Sequence, residues 1–197
     1  LTAPVYYGET VIAPILLRYL RDYPEVSAEL NLDNRKVDLV AENFDLGIRL
    51  GPMDASSLML RQLAPRVHHV CASPAYLAER GVPLTPADLA GHASLRYRFL
   101  NSGKLEEWTL PGLPAMPIAL VCNNMEAMLG AAVSGLGLAY MPDFLARDAL
   151  ARGELQQVLA EQLTHSGQFS ALWPSSRQLS PKVRAFVDFA NERLFKG

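Results

Sequence analysis

His68, His69 and Cys71 lie close together in RVHHVC, and metal ligation is the first chemistry such a run suggests. On a strand, adjacent His68 and His69 point to opposite faces and cannot share one ion without distortion. His69 and Cys71 share a face, but no matching pair of ligands stands elsewhere, which favours a structural role. Ser134 sits in AVSGLG, which lacks the Gly-x-Ser-x-Gly elbow and places the serine at a helix end. Glu106 and Glu107, beside Trp108, read as carboxylates solvated on one face of a strand. No set of acid, base and nucleophile emerges, so the chain is not expected to be an enzyme, and neither a metal nor a cofactor is expected.

Gly135-Leu136-Gly137, in VSGLGLAYMP, raises a different chemistry, the cradling of a nucleotide phosphate. That fingerprint needs its glycines between a strand and a following helix, with a third glycine where Tyr140 stands. Here Met125, Met128, Leu129 and Val133 recur at helical spacing upstream, and Leu138 to Met141 form an apolar run ended by Pro142. The order is helix, glycines, strand, so Gly135 is expected to stop a helix with a left-handed backbone. A ligand, if bound, belongs at the other end of that helix.

What remains is non-covalent recognition, and composition narrows it. The chain has 197 residues, half of them hydrophobic, and a formal charge of −2. That length suits two small domains, and the near-neutral charge offers no broad basic face to nucleic acid or to a membrane. Cys71 and Cys122 cannot form a disulfide framework and read as buried free thiols in a reducing compartment. No apolar stretch is long enough for a membrane span and no signal peptide is visible, so a soluble cytoplasmic protein is expected. A missing N-terminal part is compatible with a first residue that is not Met.

The elements that must position a ligand follow from periodicity. Ala3 to Tyr7 can start a sheet, and a helix is expected to begin near Thr10 and end by Pro24, with Ile15, Leu16, Tyr19, Leu20 and Tyr23 on one stripe and Pro14 confined to the first turn. VSAELNL alternates like a strand, a short helix is expected through Val37, Leu39 and Val40, and a strand from Asp45 to Leu50. Strand, helix, strand predicts a parallel sheet with a right-handed crossover. A strand to Ala72 leads to a helix capped by Ser73, opened by Pro74 and stopped at Gly81, and Thr85-Pro86 repeats the device. Three short strand candidates follow in SLRYRF, EEWTL and MPIALVC. NNMEAMLGAAVSG reads as a helix, LGLAYMP as a strand, Asp143 to Ala151 as a helix, ELQQVL and GQFSALW as strands, and a last helix opens with Ser180 and Pro181. The result is two similar halves of parallel crossovers, joined by strands crossing near residues 71–73 and 169–172.

Several stretches together resemble the effector-binding domain of LysR-type transcriptional regulators: LRYLRDYPEVSAELNLDNRKVDLVAENFDLGIRLG above all, then LAPRVHHVCASPAYLAERGVP, PADLAGHASLRY, Trp108 and NNMEAMLGAAVSGLGLAYMP. The series runs in the right order over essentially the whole chain. The resemblance implies an α/β fold of two Rossmann-like subdomains around a cleft, similar to the type 2 periplasmic binding proteins. Subdomain I would comprise 1–71 and 172–197, and subdomain II 72–171. It further implies a small organic effector, DNA contact only through a winged helix-turn-helix outside this chain, and a homodimer or homotetramer. An extracytoplasmic solute-binding protein of the same fold is the alternative. Relatives of this type often carry basic or hydroxyl residues just after the first glycine, whereas here Glu9 precedes Thr10, which leaves the effector's charge open.

In an open parallel sheet, ligands collect beyond the carboxyl ends of the strands, where helices begin with unpartnered N–H groups. Three such starts are expected, at Gly8-Glu9-Thr10, at Asp33 to Lys36 and at Asn123-Asn124-Met125. Thr10, Asn123 and Asn124 can each cap a helix or reach a ligand. Arg49 ends an apolar strand, where its planar fork would clamp a carboxylate or pair with an acid such as Asp45 or Asp54. Tyr97 lines the cleft or packs in the core.

Overall fold

A computed structural model describes residues 1–35, 37–50, 58–65, 67–100, 102–164, 168–175 and 180–194. The chain forms two compact units, Leu1–Pro65 with Gly167–Gly197 and Arg66–Ser166. The crossings thus fall at 65/66 and 166/167. His68 to Ala72 belong to the sheet of the second unit, and Gln168 to Pro174 to that of the first.

The first unit carries a five-stranded sheet in the order β2-β1-β3-β10-β4. Its strands are β1 (Thr2–Ala3), β2 (Asn31–Leu32), β3 (Gly47–Leu50), β4 (Leu58–Pro65) and β10 (Gln168–Pro174). Strands β1, β2 and β3 are parallel, whereas β10 runs antiparallel between β3 and β4. The sheet is therefore mixed. The final strand returns from the other unit and enters against the direction set by the crossovers. Strand β4 was not anticipated: Met59 and Leu60 are exposed, so its apolar residues do not alternate as a half-buried strand would.

After β1 the chain is helical without a break: α1 (Val5–Tyr7), a π turn (Gly8–Ile12) and α2 (Ala13–Asp22). The helix therefore starts at Val5, and the expected strand to Tyr7 and start near Thr10 are both wrong. Pro14 explains the widened turn. A proline inside an α-helix clashes with the carbonyl four residues back. Here Ala13 N–H instead reaches the Gly8 carbonyl, five residues back, which opens the coil just before the pyrrolidine ring. Of the expected apolar stripe, Ile15, Leu16 and Tyr19 are buried, Leu20 is partly buried and Tyr23, just past the helix, is exposed. Tyr19 meets Phe186 of α6 (Pro181–Leu194) edge to face, and Leu46, Ile48, Leu172 and Val187 are buried in the same unit. The rings of Tyr7 and Phe169 stack with centroids 3.7 Å apart.

Two short elements differ from expectation. VSAELNL contributes only Asn31 and Leu32 to the sheet, because Ser27, Ala28 and Glu29 are exposed and have no face to bury. The helix expected at 37–40 is a set of turns. Asp38 Oδ1 accepts from Val40 and Ala41 N–H at 2.9 and 3.1 Å, and Asn43 ends the run with φ of 58°.

The second unit has a sheet in the order β7-β6-β8-β5-β9. These are β5 (His68–Ala72), β6 (Ser94–Tyr97), β7 (Ile118–Cys122), β8 (Leu138–Pro142) and β9 (Gln156–Val158), with helices α3 (Pro74–Arg80), α4 (Met125–Val133) and α5 (Asp143–Ala151). Strands β6, β7 and β8 are parallel, and β5 is antiparallel to β8 and β9. Among the described residues EEWTL forms no strand; the preceding Leu105 makes a single bridge with Arg98. Its alternation survives as packing, since Glu106, Trp108 and Leu110 are buried.

The stops and starts of this unit are local. Ser73 Oγ accepts from Tyr76 N–H at 3.2 Å, and Gly81 ends α3 at φ 87°. Helix α4 closes as its glycines indicate: Leu136 N–H donates to the Ala131 carbonyl, Gly135 N–H to that of Ala132, and Gly135 has φ of 80°. No phosphate cradle forms, because Gly137 is pressed against Ala93, whose carbonyl oxygen would lie 2.7 Å from an added Cβ. No helix among the described residues is long and apolar enough to cross a membrane.

Candidate functional site

In the first unit the carboxyl edge of β1, β2 and β3 gathers charged and hydrogen-bonding groups. Val5 N–H, which opens the first helix, donates to Asn34 Oδ1 at 3.0 Å. Asn34 follows β2, so the cap comes from a neighbouring strand's turn and not from the residue before the helix. Asp33 accepts the Arg35 backbone N–H at 2.8 Å and its Nε at 2.6 Å. These bonds hold the Asp33 carboxyl below its ordinary range. Arg35 is committed on its other side to Glu42, with Nη1 2.8 Å from Oε1. Asp33 is thus an Arg35 anchor, and Lys36 lies outside the described residues.

Arg49 behaves differently. From β3 its Nη1 donates to the Ile48 carbonyl at 2.8 Å and its Nη2 to Thr2 Oγ1 at 2.9 Å. Among the described residues no carboxylate pairs with it; Asp45 does not, and Asp54 lies outside them. Burial lowers its pKa and the nearby Asp33 pulls it back up. Arginine stays charged in proteins. The edge therefore carries a half-buried guanidinium whose partners are neutral oxygens, and a ligand anion or carbonyl would complete it.

Gly8, Glu9 and Thr10 are not at a helix start. They lie in the π turn, one turn into the helix, so their N–H groups belong to its ladder. Gly8 is buried, and a Cβ there would run into Leu32 Cδ2. It is glycine because β2 passes close by. Thr10 Oγ1 donates to the Tyr6 carbonyl at 2.7 Å, a bond back along its own helix, and so does not cap. Glu9 is exposed.

In the second unit the equivalent place is the end of β7 and the start of α4. Asn124 is the N-cap, its Oδ1 accepting from Ala127 N–H at 2.9 Å. The amide nitrogen of Asn124 and the whole side chain of Asn123 have no partner among the described residues, and both residues are exposed. Cys122 Sγ lies 3.4 Å from the Asn124 carbonyl. Tyr97, the last residue of β6, is 7% exposed and meets Phe99 edge to face. It is a packed residue.

The groups that might have suggested catalysis have other occupations. His69 Nε2 lies 3.0 Å from Asp143 Oδ1, and Asp143 also receives Arg147 Nε at 3.1 Å. Burial alone would raise the Asp143 pKa, but the bonds from His69 and Arg147 bring it below the ordinary carboxylate range. Glu106 corrects the expectation of a solvated carboxylate. It is 3% exposed, with Oε1 3.7 Å from His68 Nε2, and only Glu107 is at the surface. Sequence reading missed this pair because the partners are far apart in the chain; the alternation Glu106, Trp108, Leu110 was the available signal. Ser134 is the C-cap of α4. Among the described residues no group of three or more His, Cys, Asp or Glu could hold a metal ion.

The family model described as the LysR substrate binding domain matches residues 1–195. The chain is 32% identical to a probable HTH-type transcriptional regulator, LtrA, of Klebsiella pneumoniae, over 98% of this chain and 65% of that protein. It is 35% identical to an HTH-type transcriptional regulator of Xanthomonas campestris pv. campestris, over 98% of this chain and 58% of that one. The chain thus spans less than two thirds of either relative. Among solved structures, the regulatory domain of CrgA, a LysR-type transcriptional regulator from Neisseria meningitidis, matches with a TM-score of 0.84 and 28% identity, covering 98% of this chain and 96% of that one.

Proposed function

This chain belongs to the LysR substrate-binding domain family, and on that premise we propose how it works as the effector-binding domain of a transcriptional regulator. A small organic effector binds at the carboxyl edges of the sheets. Arg49 is the principal anchor in the first unit, with Thr2 and the Asp33–Arg35 turn around it. In the second unit the corresponding candidate contacts are Asn123 and Asn124, at the start of α4. Glu9 and Thr10 supply exposed polar groups on the widened turn, Gly8 serves packing, and Tyr97 supports the floor beneath the start of α4.

The observation that carries this reading is the half-buried Arg49 guanidinium with no carboxylate partner among the described residues. Structural arginines at sheet edges are usually paired, and one left with neutral oxygens is poised for a ligand. The role is recognition without turnover. Binding regulates only if the effector prefers one arrangement of the protein over another, since equal affinity for both shifts nothing. DNA recognition would belong to sequence outside these residues, and the regulator would act as a cytoplasmic homo-oligomer. The alternative of a solute-binding protein is set aside because the matched relatives are named as transcriptional regulators.

A thermal-shift screen of small organic metabolites tests the proposal, because a ligand at about 100 times its Kd stabilises a fold by about 2.7 kcal/mol. Hits should lose their shift in Arg49→Ala. Hits that Arg49→Ala and Asn124→Ala both leave unchanged would place the site elsewhere.

A further inference from the structure

The chain's four histidines all fall within residues 66–166, the second unit. Two of them face a carboxylate: His68 Nε2 lies 3.7 Å from Glu106 Oε1, and His69 Nε2 lies 3.0 Å from Asp143 Oδ1. His92 faces a phenol instead. It is 5% exposed, and its Nδ1 lies 3.3 Å from the Tyr76 hydroxyl. That hydroxyl also accepts the Ala93 N–H at 2.9 Å. A phenol that accepts on one side has its single proton to give on the other, so Tyr76 donates to Nδ1 and a neutral His92 carries its ring proton on Nε2.

These groups join several elements. Tyr76 belongs to α3 and sits in the same buried cluster as Leu77, Leu89 and Leu138. His92 ends a short 3₁₀ turn (Pro86–Gly91), its N–H returning to the Leu89 carbonyl at 3.0 Å. Ala93 leads into β6, and its carbonyl accepts the N–H of Leu138, the first residue of β8, at 2.8 Å. Ala93 is therefore held by α3 through its N–H and by β8 through its carbonyl. Burial holds the His92 ring below the ordinary imidazole range; Asp88, on the 3₁₀ turn, pulls it back up, and Arg80, on α3, pushes it down. Asp88 is already committed to the Leu84 and Thr85 N–H groups at 3.0 and 2.8 Å, and Arg80 Nε lies 3.3 Å from Glu79 Oε1.

A proton on Nδ1 turns that atom from acceptor to donor. It then meets an O–H that also donates, and a buried cation replaces a neutral ring. We propose that His92 is an acid-sensitive latch of the second unit: neutral, it ties α3 to the entry of β6 through Tyr76, and protonated, it releases the Ala93 N–H and loosens that corner. The folded ring holds its proton less tightly than the unfolded one, whose value is about 6.5. The stability it contributes is therefore complete above that pH and lost as pH falls through the lower folded value. Residues 1–65 and 167–197 contain no histidine, so the device belongs to the second unit alone. It is independent of Arg49 and of the effector reading.

Amide hydrogen exchange followed by NMR on the 197-residue chain, at about pH 7.5 and about pH 5.5, tests the proposal. After correction for intrinsic exchange, the protection of the Ala93 N–H should fall by about threefold to tenfold on acidification, since one proton changes the opening equilibrium by at most about tenfold per pH unit. The amides of β3 and β10 in the first unit should not show that fall. His92→Gln, which can still accept from Tyr76 but takes up no proton, should abolish it, whereas His69→Gln should keep it. In the parent chain the His92 ring resonances should titrate with a midpoint below about 6.5, a readout that does not depend on any variant folding. The proposal is overturned if Ala93 protection is the same at both pH values, if His92→Gln retains the fall, if the first unit loses as much, or if the ring titrates at or above about 6.5.

Discussion

The two helices that open beside the candidate binding groups begin in opposite ways. In the second unit, α4 starts where its own sequence indicates: Asn124 precedes the first helical residue and accepts Ala127 N–H. In the first unit, the helix starts at Val5 behind Pro4, and its opening N–H is received by Asn34, 29 residues away. The start of one helix is written in the residues that make it; that of the other exists only once β2 lies beside β1. Local hydrogen-bonding chemistry can be read from sequence, whereas a cap supplied across a sheet has no local signature.

The strongest test of this contrast is at the other end of α4, where both kinds of constraint meet. Gly137 approaches the Ala93 backbone, so Gly137→Ala is expected to cost about 1–3 kcal/mol in urea unfolding, as overpacking does. Gly8→Ala should cost less, because the obstructing atom is the movable tip of Leu32. If the order is reversed, the second unit does not depend on that backbone approach.

The caps come next in size. Asn124→Ala and Asn34→Ala should each lower stability by about 0.5–2 kcal/mol, the usual range for a lost N-cap. Asn123→Ala, one residue from the cap and without a partner among the described residues, should fall within about 0.5 kcal/mol of the parent. A neutral Asn34→Ala beside a costly Asn124→Ala would show that the remote cap is not needed and would dissolve the comparison.

Smaller still is a pH effect in the second unit. The depressed Asp143 pKa means that its contribution is present above the unfolded carboxylate value of about 3.9 and is lost as pH falls through the lower folded value. Asp143→Asn should therefore be less stable than the parent near neutral pH, with the gap closing in acid. The effect is modest because the carboxylate is partly exposed and screened. A gap that widens on acidification would contradict the assignment.

Thiol chemistry gives a finer contrast. Burial pushes the Cys71 thiol up to about 12, whereas Cys122 is partly exposed at the end of β7. A disulfide reagent at mildly alkaline pH should label Cys122 in the native chain and reach Cys71 only on unfolding, because the thiolate is the reacting form. Equal labelling of both would mean that β5 is not buried as described.

The same distinction decides how much of the fold was legible. Ser73-Pro74, Thr85-Pro86, Gly81, Gly135 and Ser180-Pro181 mark helix ends by their own chemistry, and each was readable. The antiparallel course of β10 was not, since direction depends on which neighbours a returning strand finds. Nor was β4, whose exposed Met59 and Leu60 break the alternation, or the π turn, where Pro14 advertised a first turn and sits instead behind a widened coil. At the candidate site, Arg49 and Asn124 were legible from strand end and cap pattern. Gly8 to Thr10 were misplaced by the same missing cap signal, and Asn34 was invisible until β1 and β2 were paired.

The most direct measurement is the affinity of a screened effector for the parent chain, Arg49→Ala, Asn124→Ala and the double variant, by calorimetry. The account predicts that each single change weakens binding and that the double variant binds more weakly than either. Full affinity in both single variants, with folding intact, would contradict it.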